Sequence, residues 1–175
     1  MFDKLLQALR GNSHASSGDT VETRRRRLGM ELWATVYCYS DRSFIVTSVI
    51  TAPGEISMEV GEPTVLPIEV SDTELGAVAL RHLVEMVKRR PPLRRERKLT
   101  DWRVYQVSGA RSVRAFTSHS LTVSLETTPT GIGLSSRGTH VVEGMPWATA
   151  TASTDATDLG ASIRQVIEAA KASVA

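Results

Sequence analysis

The stretch SDTELGAVALRHLVEMVKRR, residues 71–90, decides how this chain is read, because its opening is said twice. Ser71-Asp72-Thr73-Glu74-Leu75-Gly76 returns 84 residues later as Asp155-Ala156-Thr157-Asp158-Leu159-Gly160. Ser71 and Asp155 are residue types that cap helix N-termini, and Glu74 and Asp158 stand three residues on, where a carboxylate can bond back to the cap's N–H. Leu75, Ala79, Leu83 and Met86 then fall at helical spacing, as do Leu159, Ile163, Ile167 and Ala170. Glycine early in a helix costs about 1 kcal/mol relative to alanine. The recurrence of Gly76 and Gly160 therefore predicts a close backbone approach at both helix starts.

Strands surround these helices. Residues 31–39 (ELWATVYCY) and 43–51 (SFIVTSVIT) are rich in aromatic and β-branched residues, with a turn at Ser40-Asp41-Arg42. Residues 55–60 alternate cleanly, Gly61-Glu62-Pro63 interrupts, and residues 64–70 form a fourth strand that Pro67 confines to an edge or a bulge. The second half follows a looser version of the plan. Residues 101–107 suit a strand or short helix, and 120–126 is the clearest strand. Segments 130–136 and 139–143 are weaker, and 147–153 feeds the last helix. The expected fold is α+β: two pseudo-repeated halves, 28–90 and 101–175, each an antiparallel sheet of about four strands followed by a helix. Together they make one domain, 28–175. Ahead of it, residues 1–10 read as a short amphipathic helix, with Phe2, Leu5, Leu6 and Leu9 on one side. Residues 11–27 read as a flexible tether that ends in the solvated run Arg24 to Arg27.

Composition sets limits on function. The 175 residues are 41% hydrophobic and 23% charged, with a formal net charge of +2, so the chain is not a polycation. Its charge is clustered nonetheless, with seven basic residues between Lys88 and Lys98. Cys38 is the single cysteine, which excludes an internal disulfide and fits a reducing compartment. No apolar run approaches the roughly 18 residues of a membrane span, and the polar opening MFDKLLQALR does not suit a secretory core. A soluble, cytoplasmic protein is expected.

Chemistry is sparse. His14, His82, His119 and His140 lack metal-ligand spacing, and Cys38 has no companion ligand. His82 suits a packed core position, His119 and His140 the surface, and Cys38 a buried strand. Trp33 and Trp147 alternate with apolar neighbours and are expected in the core. The glycines of Gly131-Ile132-Gly133 match no phosphate loop and suit a hairpin, and no nucleophile elbow occurs. No catalysis, cofactor or metal is expected. What remains is binding by the basic crossover: Arg89, Arg90, Arg94, Arg95, Arg97 and Lys98, followed by Trp102. Guanidinium groups there suit an acidic protein face. Beside an aromatic ring they also suit single-stranded nucleic acid, with phosphates on the cations and a base on Trp102. A plain solvated linker held extended by Pro91-Pro92 is the third possibility.

Three stretches bear a family likeness: Leu66-Pro67-Ile68 through Ser71-Asp72-Thr73-Glu74-Leu75-Gly76-Ala77; Ala115-Phe116 through Leu121-Thr122-Val123-Ser124-Leu125; and Asp158-Leu159-Gly160-Ala161-Ser162-Ile163. In these the chain resembles the immunity proteins of contact-dependent growth inhibition, which carry a similar Glu-Leu-Gly helix start in mid-chain and again near the C-terminus. The resemblance implies a non-catalytic cytoplasmic protein that binds one cognate toxin domain, often a nuclease, and blocks it. It carries over no functional residue. A nucleic-acid binder, or a structural or secretion-associated adaptor, is the alternative.

Overall fold

Six strands among the described residues, β-branched and apolar runs or alternating segments, build one antiparallel sheet rather than two. The computed structural model describes residues 20–28, 31–50, 58–85, 101–137 and 147–172. Strands β1 (Trp33–Tyr39), β2 (Ser43–Ile50), β3 (Met58–Pro67), β4 (Ser120–Thr128), β5 (Gly131–Arg137) and β6 (Ala148–Ala152) lie in the order β3-β2-β1-β4-β5-β6. The helices are α1 (Val21–Leu28), α2 (Asp72–Val84), α3 (Arg103–Ser108), α4 (Val113–Ser118) and α5 (Ala156–Ala172). Pairing of β1 with β4, Val36 opposite Val123, joins the first three strands to the last three.

The expected four strands per half are three among the described residues. In the first half, the segments read as separate strands on either side of Gly61-Glu62-Pro63 are a single strand, β3. Its register against β2 shifts between Val46 and Ser48, and Gly61 takes a left-handed φ of 80° there. The extra residues are absorbed as a bulge instead of ending the strand. Pro63 and Pro67 sit on this edge strand, where a missing N–H donor costs no ladder bond. In the second half, the segment at 101–107 becomes helix α3. The segments at 1–10, 86–100 and 139–143, including Met86 and His140, lie outside the described residues.

One face of the sheet carries Ala34, Val36, Cys38, Phe44, Val46, Leu121, Val123, Leu125 and Leu134. Helices α2 and α5 cover it with Leu75, Ala79, Leu83, Leu159, Ile163, Ile167 and Ala170, all buried. Those are the residues that helical spacing selects. Ser71 caps α2 by accepting the Glu74 N–H, and Asp155 caps α5 by accepting those of Thr157 and Asp158. The Asp158 carboxylate does not return to its cap. It accepts from the backbone N–H and hydroxyl of Ser153, because the Ser153 hydroxyl already takes the Asp155 N–H.

The two helix starts meet each other. A Cβ added at Gly76 would lie 1.8 Å from the Ala156 carbonyl oxygen, and one at Gly160 would lie 1.9 Å from that of Asp72. Thr73 and Thr157 share a hydrogen bond of 2.8 Å between hydroxyls. The repeated motif thus makes a reciprocal helix crossing with a local two-fold at the threonine pair. Duplication of the halves as wholes is a reading of the sequence alone.

Residues 21–28, where the end of a flexible tether is expected from the sequence, are helical, and residues 11–19 lie outside the described residues. Thr20 caps α1 by accepting the Thr23 N–H, and Glu22 pairs with Arg26 one turn on. Val21 is buried in the main core, and Arg25 donates two hydrogen bonds of 2.9 Å to Glu31. Glu31 in turn accepts from Thr127 on β4, whose hydroxyl oxygen also receives the Leu32 N–H. The segment has almost no apolar pattern to announce it, so only these contacts reveal the helix. Removing residues 1–27 should therefore destabilise the protein. Losing the burial of Val21 alone forfeits about 1.5 kcal/mol, which a lowered urea midpoint would register. An unchanged midpoint would show that α1 contributes nothing to the core.

Candidate functional site

The other face of the sheet bears the residue that sequence reading linked to binding. Tyr37 and Ile45 point there from β1 and β2, and the short helices α3 and α4 bring Val104 and Phe116 against them, with Tyr39, Trp102, Tyr105 and Ala110 at the margin. Trp102 stands at the N-cap of α3 without a side-chain cap bond, and Gly109 ends that helix with φ 69°. Ser112 then caps α4 through the Ala115 N–H. Two tight helices result, each with one buried residue.

Trp102 meets its neighbouring rings edge to face. Trp102 and Phe116 have centroids 5.0 Å apart at 82°, and Tyr37 and Trp102 lie 6.0 Å apart at 76°. Glu59, reaching from edge strand β3, closes the cluster: its carboxylate accepts from the Tyr37 hydroxyl and the Trp102 indole N–H. Burial, then the Glu59 charge, pushes the Tyr37 phenol well above its ordinary range, so it stays a donor. Nearby, Arg103 bonds Glu62 at 2.6 Å. Trp102 is thus half-buried, with its indole N–H committed inside the protein. Arg89, Arg90, Arg94, Arg95, Arg97 and Lys98, named with it from the sequence, lie outside the described residues.

A second polar cluster sits under α2, and sequence reading placed only its histidine. His82 is buried, with Nδ1 3.1 Å from the Ser48 hydroxyl and Nε2 2.8 Å from that of Thr64. Ser48 gives its one proton to the His82 carbonyl at 2.8 Å, so Nδ1–H must be the donor to Ser48. Nε2 then accepts from Thr64, whose oxygen also receives Arg81. Every ring nitrogen is satisfied by a neutral imidazole. Burial, aided by Arg81, lowers its pKa to about 4.

Elsewhere Lys171 on α5 pairs with Asp41 in the β1–β2 turn at 2.8 Å and with Glu168 at 2.9 Å. This tie holds a turn in which Ser40 and Asp41 both have φ 52°. Cys38 is buried as its strand position suggests, and burial beside Asp41 pushes its thiol up to about 11, far from a reactive thiolate. His119 is exposed, and Gly131 opens β5 directly after the hairpin turn. Trp147 was expected in the core but is 47% exposed. It precedes β6, which is the edge strand of the sheet among the described residues. Trp33 is half-buried. Among the described residues, no His, Cys, Asp and Glu group is arranged to hold a metal ion, and no helix is long and apolar enough to cross a membrane.

No protein-family model matches the chain, and no curated protein resembles it in sequence. Its fold is similar to those of two solved structures. One is a Neisseria meningitidis protein of unknown function, with TM-score 0.59 and 14% identity over 80% of this chain and 95% of that one. The other is a chain of the CdiA-CT/CdiI toxin and immunity complex from Yersinia pseudotuberculosis, with TM-score 0.54 and 16% identity over 79% of this chain and 96% of that one. At these identities the likeness is one of fold.

Proposed function

We propose that this chain is a non-catalytic immunity protein, which binds a cognate toxin domain in the cytoplasm and neutralises it in bacterial contact-dependent competition. The observation that carries the reading is the fold shared with a chain of a toxin and immunity complex, over nearly the whole of that chain. The helix starts Glu74-Leu75-Gly76 and Asp158-Leu159-Gly160 support it from the sequence side. Binding is assigned to the basic crossover, Arg89, Arg90, Arg94, Arg95, Arg97 and Lys98, together with Trp102. A run of guanidinium groups draws an acidic protein face and acts mainly on the rate of encounter.

The toxin domain encoded beside this chain's gene is the partner to test. Co-expression should protect cells from it, and unprotected cells would sink the reading. Replacing Arg94, Arg95 and Arg97 together with serine should slow association and flatten its salt dependence. The expected loss is about 0–1 kcal/mol for each charge that stays wet. Stopped-flow association at two salt concentrations decides this, and an unchanged rate would return the segment to a solvated linker.

A further inference from the structure

Five arginines among the described residues have carboxylate partners. Arg25 and Arg26 pair with Glu31 and Glu22, Arg81 with Glu85, Arg103 with Glu62, and Arg164 with Asp72. Arg42, Arg111 and Arg114 do not. All three are exposed, and none has an ion pair among the described residues. They fall in one neighbourhood. Arg111 lies just before α4 and Arg114 in its first turn, while Arg42 belongs to the β1–β2 turn, which the Ser40 N–H fastens to the His119 carbonyl at the end of α4 at 2.8 Å. Tyr39, beside that turn, packs on Phe116 of α4 with centroids 5.5 Å apart.

Asp41, beside Arg42, is committed to Lys171, and by Trp102 the Glu59 carboxylate is taken by Tyr37 and Trp102 and that of Glu62 by Arg103. Exposed Glu69 follows Ile68, whose N–H bonds the Arg42 carbonyl, but forms no ion pair with Arg42. Half-exposed Tyr39, Trp102 and Tyr105 belong to the cluster packed around Phe116 of α4, and tyrosine, tryptophan and arginine are the residues in which binding energy concentrates at protein interfaces.

We infer that Arg42, Arg111 and Arg114, with Tyr39, Trp102 and Tyr105, form a docking surface for an acidic protein face. The inference rests on the immunity reading for the identity of that protein, the toxin domain. Trp102 is locked edge to face against Tyr37 and Phe116 and its N–H is taken, so it does not offer the open stacking platform that single-stranded nucleic acid uses. The Glu59 and Glu62 carboxylates beside it oppose a phosphate chain but suit a mixed protein surface.

The test is association of the full-length chain with the toxin domain encoded beside its gene, comparing wild type, R111E/R114E and R26E on α1. Charge reversal at Arg111 and Arg114 should slow association about tenfold and leave the melting temperature unchanged, with R26E near wild type. Toxin captured equally fast by wild type and R111E/R114E would overturn the surface and leave the immunity reading standing. If the toxin domain fails to bind wild type at all, the immunity reading falls. The surface is then judged with two charge-matched probes, an oligoglutamate peptide and an oligothymidylate. Oligoglutamate binding that R111E/R114E abolishes supports an acidic protein face. Binding of oligothymidylate alone, or of neither probe, overturns it.

Discussion

Replacing Gly76 with alanine will lower stability by roughly 3 kcal/mol, a fall in melting temperature of roughly 6–12 °C for a chain of this size. Helix propensity alone argues the other way, since alanine is favoured by about 1 kcal/mol in a helix interior. Packing decides the sign. The new methyl would sit 1.8 Å from the Ala156 carbonyl oxygen, 2.7 Å from its carbon and 2.9 Å from the Gly160 nitrogen. These are backbone atoms of α5, so no rotamer change relieves the overlap, and α2 and α5 must part. Separation would stretch the Thr73–Thr157 hydrogen bond and loosen Leu75 and Leu159 in the core. Gly160→Ala should behave alike, its methyl 1.9 Å from the Asp72 oxygen, and the double variant should cost less than the sum because one displacement serves both. Gly109 is the control. Its φ of 69° strains any other residue, but nothing lies within 4 Å of an added Cβ, so Gly109→Ala should cost only about 1 kcal/mol. Thermal melts of the four variants suffice. A Gly76→Ala protein as stable as wild type would mean that the crossing is not tight.

Acid will act next most strongly, through His82. Its pKa is about 4 in the folded protein against 6.5 when free. Between those values the unfolded chain binds a proton that the folded chain refuses, so stability falls as pH drops from 6.5 towards 4. The expected loss is about 2–3 kcal/mol. A charged ring would need to donate from both nitrogens; Ser48 already accepts from Nδ1–H, but the Thr64 hydroxyl gives its proton to Nε2 and its oxygen already receives Arg81. Carboxylates held low by partners, Glu31 by Arg25 and Asp41 by Lys171, contribute stability that is lost at still lower pH. Glu126, raised by burial and then by Glu31, acts in the opposite sense just above the ordinary carboxylate range. Urea midpoints from pH 7 to pH 4 for wild type and His82→Asn separate these contributions. The variant starts less stable, but its slope between pH 6.5 and 4.5 should be flatter. Parallel slopes would remove His82 as the cause.

The fold was partly legible in the residues. Helical spacing from Leu75 and Leu159, the caps at Ser71 and Asp155, the aromatic and β-branched runs of β1 and β2, and alternation in β4 are local patterns, and local patterns survive in a linear sequence. Repetition of Gly76 and Gly160 even announced a close approach that neither helix makes within itself. The strand count was less legible, since Gly61-Glu62-Pro63 reads as a break until β2 is seen to run past it. Helix α1 stayed hidden, because VETRRRR offers no apolar stripe and its ties reach to Glu31 and, through it, to Thr127.

The candidate site divides in the same way. Composition marks Arg94, Arg95, Arg97 and their neighbours as a basic crossover, and Trp102 as its aromatic companion. It does not say that Trp102 would meet Glu59, 43 residues away, or that His82 would sit between Ser48 and Thr64, 34 and 18 residues back. Periodicity and capping depend on neighbours within a turn or two, so the sequence alone determined which faces are apolar and where the long helices start. Pairing partners, the bonds of buried polar groups and the unpaired state of Arg42, Arg111 and Arg114 depend on which distant strands and helices become adjacent. Only the tertiary structure decided those, because burial removes the water that would otherwise satisfy every polar group and leaves whichever residue the fold has brought within reach.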